Sequence, residues 1–93
     1  MNIWKIEIRR DKDGIPIYDK VRSFPGNMGL TERTYQNDKG VYVVADAELY
    51  CFEKIEKGGL IEYSTRFYRV QEKYETTLGM IRYILTEFRR ENG

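Results

Sequence analysis

Histidine is absent from this chain, and its one cysteine, Cys51, has no second cysteine to pair with. The first absence removes imidazole acid–base catalysis, His-based triads and His-containing metal sites. The second removes an internal disulfide and makes a reducing, cytoplasmic setting the expectation. A charge excess is missing too. Sixteen Lys and Arg stand against 15 Asp and Glu, and the net charge of +1 gives no overall pull toward nucleic acid or a membrane. A local basic patch is still compatible with that balance. No apolar run approaches the roughly 18 residues of a membrane span. Arg9, Arg10 and Asp11 come too early for a secretory leader.

What the chain does have is aromatic residues, at 14% with eight tyrosines. With 41% hydrophobic and 33% charged residues, the 93 positions suit a single domain, 1–93, with a modest core.

Three four-residue polar breaks ending in glycine divide the first 70 positions: Asp11-Lys12-Asp13-Gly14, Asn37-Asp38-Lys39-Gly40 and Glu56-Lys57-Gly58-Gly59. Each lies between segments rich in β-branched and aromatic residues, so the economical expectation is three hairpins. Their strands run near 2–10 and 15–23, 30–36 and 41–46, then 48–55 and 60–70. Alternation sets two registers. The apolar sets of the first hairpin meet if Arg10 pairs with Ile15, and those of the third if Ile55 pairs with Ile61 around a bulge at Gly59.

Farther on, Tyr74, Leu78, Ile81, Leu85 and Phe88 follow 4-3-4-3 spacing, one narrow stripe of a helix over about 74–91. Thr76 or Thr77 caps its start, and Arg89 and Arg90 suit its end. The expected fold is therefore α+β: an antiparallel meander of about six strands curled around a single C-terminal helix. The expected core is Trp4, Ile6, Ile8, Ile17, Val21, Val43, Leu49, Cys51, Ile61, Phe67, Leu78, Ile81, Leu85 and Phe88.

Candidate chemistry is thin. Cys51 shares a face with Leu49 and Ile55 and reads as a small core residue. Placing Gly14 at the obligatory glycine of a calcium loop puts Arg9 and Lys20 where acids are required, so that segment is a turn. Gly26-Asn27-Met28-Gly29 has the spacing of a phosphate-contacting loop, without its basic residues or flanking helices. The carboxylate pairs Asp46/Glu48 and Glu53/Glu62 read as surface charge. No metal site, cofactor or catalytic residue is expected.

The suggestive feature is the outward face of the third hairpin. If Leu49, Cys51, Ile61 and Phe67 point inward, Tyr50, Phe52, Arg66 and Tyr68 point outward, with Tyr50 across from Arg66. Aromatics with an arginine are the composition of binding hot spots, and equally of a base-stacking platform. A secondary surface is Met80, Tyr83 and Ile84, which widen the apolar arc of the expected helix and could serve a partner or self-association.

Two functions follow from different classes. The first is a small non-enzymatic protein-binding module, such as an inhibitor, an adaptor or an accessory protein of a mobile element, that occupies a partner's surface. The alternative is a nucleic-acid or nucleotide binder that stacks bases on the aromatic and arginine face. The near-neutral charge favours the first.

Overall fold

The structure, a computed structural model, describes residues 2–30 and 32–89. Among these residues nine strands follow one another: β1 (Ile3–Arg10), β2 (Pro16–Phe24), β3 (Asn27–Gly29), β4 (Arg33–Gln36), β5 (Tyr42–Ala45), β6 (Ala47–Cys51), β7 (Leu60–Tyr63), β8 (Arg66–Glu75) and β9 (Ile81–Phe88). Seven form an antiparallel sheet in the order β2-β1-β7-β8-β9-β6-β3, while β4 and β5 pair as a separate ribbon.

The described residues contain no helix, so the chain is all-β rather than α+β. The C-terminal helix expected over 74–91 is instead the end of β8, a turn at 76–79 and β9; positions 90 and 91 lie outside the described residues. Gly79 shows why. It takes φ +85° and donates its N–H to the Thr76 carbonyl, while Thr76 N–H bonds the Met80 carbonyl. Gly14 on Asp11 and Gly40 on Asn37 repeat that arrangement, with the return bonds to Ile15 and Val41. All three are type I turns closed by a glycine bulge, where the positive φ favours glycine. Thr76-Thr77-Leu78-Gly79 is thus one more hairpin turn. Within β9, Ile81, Tyr83 and Leu85 enter one core, while Phe88 packs on the opposite face of the sheet.

The first two expected hairpins exist as β1–β2 and β4–β5, but the first has a different register. Arg10 pairs with Pro16, Ile8 with Tyr18 and Ile6 with Lys20. Asp11 Oδ1 accepts the N–H groups of both Asp13 and Ile15, which draws Ile15 into the turn instead of opposite Arg10. A register shift between Lys5 and Ile6 then turns Val21 outward. Ile8, Val21 and Leu78, all expected in the core, are 41%, 50% and 87% exposed.

The third expected hairpin does not form. β6 lies between β9 and β3, and β7 pairs with β1 and β8, so Ile61 faces Tyr68 rather than Ile55. The loop at 52–59 instead turns inward and buries Ile55 in the core.

The sheet's two edge strands are β2 and β3, yet only Pro25 and Gly26 link them. The three Cα–Cα steps from Phe24 to Asn27 reach at most about 11 Å, so the edges must come together there and the sheet must curl. A Cβ at Gly26 would lie 2.9 Å from the Cδ1 atoms of Ile3 and Leu49 and 3.2 Å from Cys51 Cβ. A side chain at this position would have to displace those buried side chains, so glycine here lets Ile3 of β1 and Leu49 of β6 pack over the link. The main core fills the concave side with Ile3, Phe24, Leu49, Cys51, Ile55, Ile61, Tyr68, Val70, Ile81, Tyr83 and Leu85. A smaller cluster on the convex side joins Ile6, Leu60 and Phe67 under Trp4, Tyr18 and Phe88.

Candidate interaction surface

Strand pairing builds a row of side chains across three strands. Tyr50 of β6 is opposite Arg82 of β9, and Arg82 is opposite Tyr74 of β8, so all three share the convex face. Arg82 Nη2 donates to Glu48 Oε1 at 2.6 Å, and the guanidinium carbon stands 5.5 Å from the centre of the Tyr74 ring. The Tyr50 hydroxyl approaches Glu48 Oε2 at 3.4 Å. The hydrogen bond from Arg82 holds the Glu48 carboxyl below its ordinary value, and the same bond pushes Arg82 upward. The row therefore displays two tyrosines around a compensated charge pair.

Next to the row is an apolar end. Phe52, directly after β6, is 65% exposed and Leu78, at the β8–β9 turn, is 87% exposed. The two segments are neighbours, since a Cβ at Gly79 would stand 4.0 Å from Phe52 Cδ1. On the other side of Phe52, toward the β2–β3 link, opens a cleft of 270 Å³ lined by Pro25, Gly26, Asn27, Tyr50, Cys51, Phe52 and Met80, without a charged residue. Burial pushes the Cys51 thiol up, which disfavours the thiolate a nucleophile needs.

The sequence-expected site residues separate. Tyr50 and Phe52 belong to this surface. Tyr68 is only 3% exposed and lies in the concave core, with its hydroxyl pKa raised by burial. Arg66 is exposed at the far end of β8, opposite Tyr63 rather than Tyr50. Its neighbour Phe67 pairs with Phe88, six residues along β9 from Arg82, or roughly 20 Å at about 3.3 Å per residue. Of the secondary trio, Met80 lines the cleft, while Tyr83 and Ile84 are both buried. Tyr83 belongs to the concave core. Ile84 lies on the other face, where the β4–β5 ribbon runs beside β9.

Tyr74, Leu78 and Arg82 went unforeseen, because their placement depends on β9 being a strand beside β6. Asn27–Gly29, the segment with phosphate-loop spacing, is β3, and Gly26 is occupied with core packing. Among the described residues, no three acidic or thiol groups converge in a way that could hold a metal ion. No helix among them is long and apolar enough to cross a membrane.

The chain matches no protein-family model, no curated protein and no solved structure.

Proposed function

We propose that this chain is a small non-enzymatic protein-binding module that docks a partner protein on the surface formed by Phe52, Leu78, Met80 and the Tyr50–Arg82–Tyr74 row. The observation that carries the reading is the exposure of Phe52 and Leu78, 65% and 87%, in segments that come together at Gly79. Two large apolar side chains held in water beside an uncharged cleft lower the free energy only when something covers them. Tyrosine, arginine and phenylalanine around them are the residue types that dominate binding energy when desolvated. A module of this kind acts by occupation, as an inhibitor or an accessory protein does. The lone buried Cys51 fits a reducing compartment, and we place the protein in the cytoplasm.

A nucleic-acid role would draw on another region, where Trp4, Tyr18 and Phe88 flank cations. There Lys20 stands 5.3 Å from the Trp4 ring centre and Arg69 4.8 Å from that of Phe88, so both cations already cover the faces bases would stack on. Lys20 is further paired with Glu62 at 3.2 Å.

Affinity capture from the producing cell tests the proposal, with wild type compared against Phe52→Ser/Leu78→Ser. Captured protein should fall at least about tenfold in the double variant while the melting temperature stays put. Capture should also survive nuclease and change little with salt. Retention of the same protein by the double variant would remove this surface from the function. Loss on nuclease treatment, or a steep fall with salt, would favour nucleic acid.

A further inference from the structure

We infer that the cleft at the end of β8 and β9 away from Phe52 binds a free basic amino acid, lysine or arginine, between Arg66, the Tyr68 hydroxyl and the carboxylates of Glu32 and Glu87. The inference stands independently of the Phe52 surface. The cleft encloses 190 Å³, roughly six waters at about 30 Å³ each, and is lined by Leu30, Glu32, Asp46, Arg66, Tyr68 and Glu87. Tyr68 and Glu87 are directly opposite each other on β8 and β9, and Arg66, two residues before Tyr68, shares their face. Leu30 and Glu32 come from the segment before β4, and Asp46 lies between β5 and β6, so the facing wall belongs to the root of the ribbon.

Two observations point to a ligand. The first is that the charges here stay apart. Elsewhere on the surface Arg9 closes on Asp19, Lys20 on Glu62, Arg22 on Glu53, Lys57 on Glu72 and Arg82 on Glu48. Around this cleft Arg66 and three carboxylates share one wall, and no two of them meet in an ion pair. Asp46 alone is engaged, by the Glu87 N–H at 2.6 Å. The second is Tyr68, which is only 3% exposed. Arg66 approaches its oxygen as a donor, and among the described residues no group takes the hydroxyl proton. A buried tyrosine normally finds an acceptor for that proton, and the side left open to one is the cleft.

The lining then selects the chemistry. The three carboxylates do not converge enough to hold a metal ion. An anion would face all three of them, and a simple amine would leave Arg66 repelling it. One arginine against three carboxylates calls for a ligand with a net positive charge that also carries an acceptor. Lysine answers each group: its carboxylate takes Arg66 and the Tyr68 proton, its two ammonium groups take Glu32 and Glu87, and its stem lies along Leu30. The cleft is open to water, so binding is weak, with a Kd on the order of 1 mM.

An NMR titration of the full chain with lysine up to about 20 mM tests the inference, read at the amides of Tyr68 and Glu87. Saturable shifts there are expected. Alanine, which lacks the second cation, and cadaverine, which lacks the carboxylate, should each bind at least about fivefold more weakly. Arg66→Gln should weaken lysine by a similar factor and leave cadaverine no weaker, whereas Glu32→Gln should weaken both. Arg66 and Glu32 are exposed, so both variants should keep the wild-type melting temperature. Phe52→Ser/Leu78→Ser should bind lysine as wild type does. Absence of saturable shifts at Tyr68 and Glu87 overturns the inference. So does cadaverine binding as tightly as lysine, which would make the cleft a place for counterions only. Lysine binding indifferent to Arg66→Gln, or lost with Phe52 and Leu78, overturns it as well.

Discussion

The hydroxyl of Tyr83 joins the core to the inward-turning loop through Ile55. Ile55 N–H donates to the Tyr83 oxygen at 2.9 Å, and that hydroxyl donates onward to the Glu53 carbonyl at 2.6 Å. Tyr83 and Ile55 are both buried, so the Ile55 N–H has no solvent to turn to if the oxygen is removed. Tyr83→Phe should therefore cost about 1–3 kcal/mol, the penalty of a buried donor left without a partner. Urea denaturation reads it directly. The same loop begins at Phe52, so partner capture should weaken in this variant as well. Unchanged stability would mean that the loop is held by Ile55 packing alone.

The β7–β8 connection offers the opposite kind of change. Ser64 and Thr65 take φ of 51° and 65°, the left-handed region, in a two-residue turn between paired Tyr63 and Arg66. Side chains with a Cβ disfavour that region by roughly 1–2 kcal/mol per residue, and a β-branched residue such as Thr65 fits it worst. Ser64→Asn with Thr65→Gly supplies the pair this turn prefers and should raise stability by about 1–2 kcal/mol in chemical denaturation. A loss of stability would mean that the side chains contribute more than the backbone strain costs.

Two leucines that share a helical stripe in the sequence should behave as opposites. Leu85 is fully buried between Val70 and Ala47, whereas Leu78 sits at a turn with 87% of its surface exposed. Leu85→Ala should cost about 2–5 kcal/mol and Leu78→Ser less than about 0.5 kcal/mol. Thermal melts of both variants distinguish the sheet from a helix, which would demand similar losses.

Glu48 links stability to acidity. Its hydrogen bond from Arg82 depresses the folded-state pKa below the ordinary value of 4.5. The contribution is present above the ordinary value and is lost as the pH falls through the depressed one. Wild type should melt higher than Glu48→Gln at about pH 7, and the gap should narrow as the pH is lowered below 4.5. A gap that does not change with pH would assign the effect to packing rather than ionisation.

The strands were legible wherever one face met water and the turn carried glycine. That combination located β1–β2 and β4–β5 from Asp11–Gly14 and Asn37–Gly40. β9 was illegible because it runs through the middle of the sheet, where both faces are covered along much of its length. Tyr83 and Ile84 are then both apolar and both buried, and the two-residue alternation disappears. The remaining apolar positions happened to fall three and four apart. Thr76-Thr77-Leu78-Gly79 was the signal that could have corrected this, as it has the four-residue, glycine-ended form already used upstream. The site follows the same logic. Local alternation turns Tyr50 and Phe52 outward, but joining Arg66 and Tyr68 to them requires β6 to pair with the strand after Gly59, which it does not. With β9 beside β6, the neighbours of Tyr50 become Arg82 and Tyr74.

The position of β9 has a consequence for biosynthesis. It is the last of the nine strands to leave the ribosome, yet it stands between β8 and β6 and is what joins β6 and β3 to the rest of the sheet. Before residues 81–88 emerge, β6 can pair only with β3, a strand of three residues, while β1, β7 and β8 wait with one side open. Folding is therefore completed after translation of this segment rather than strand by strand during it. A ribosome stalled before Ile81 would hold a set of hairpins with no closed core.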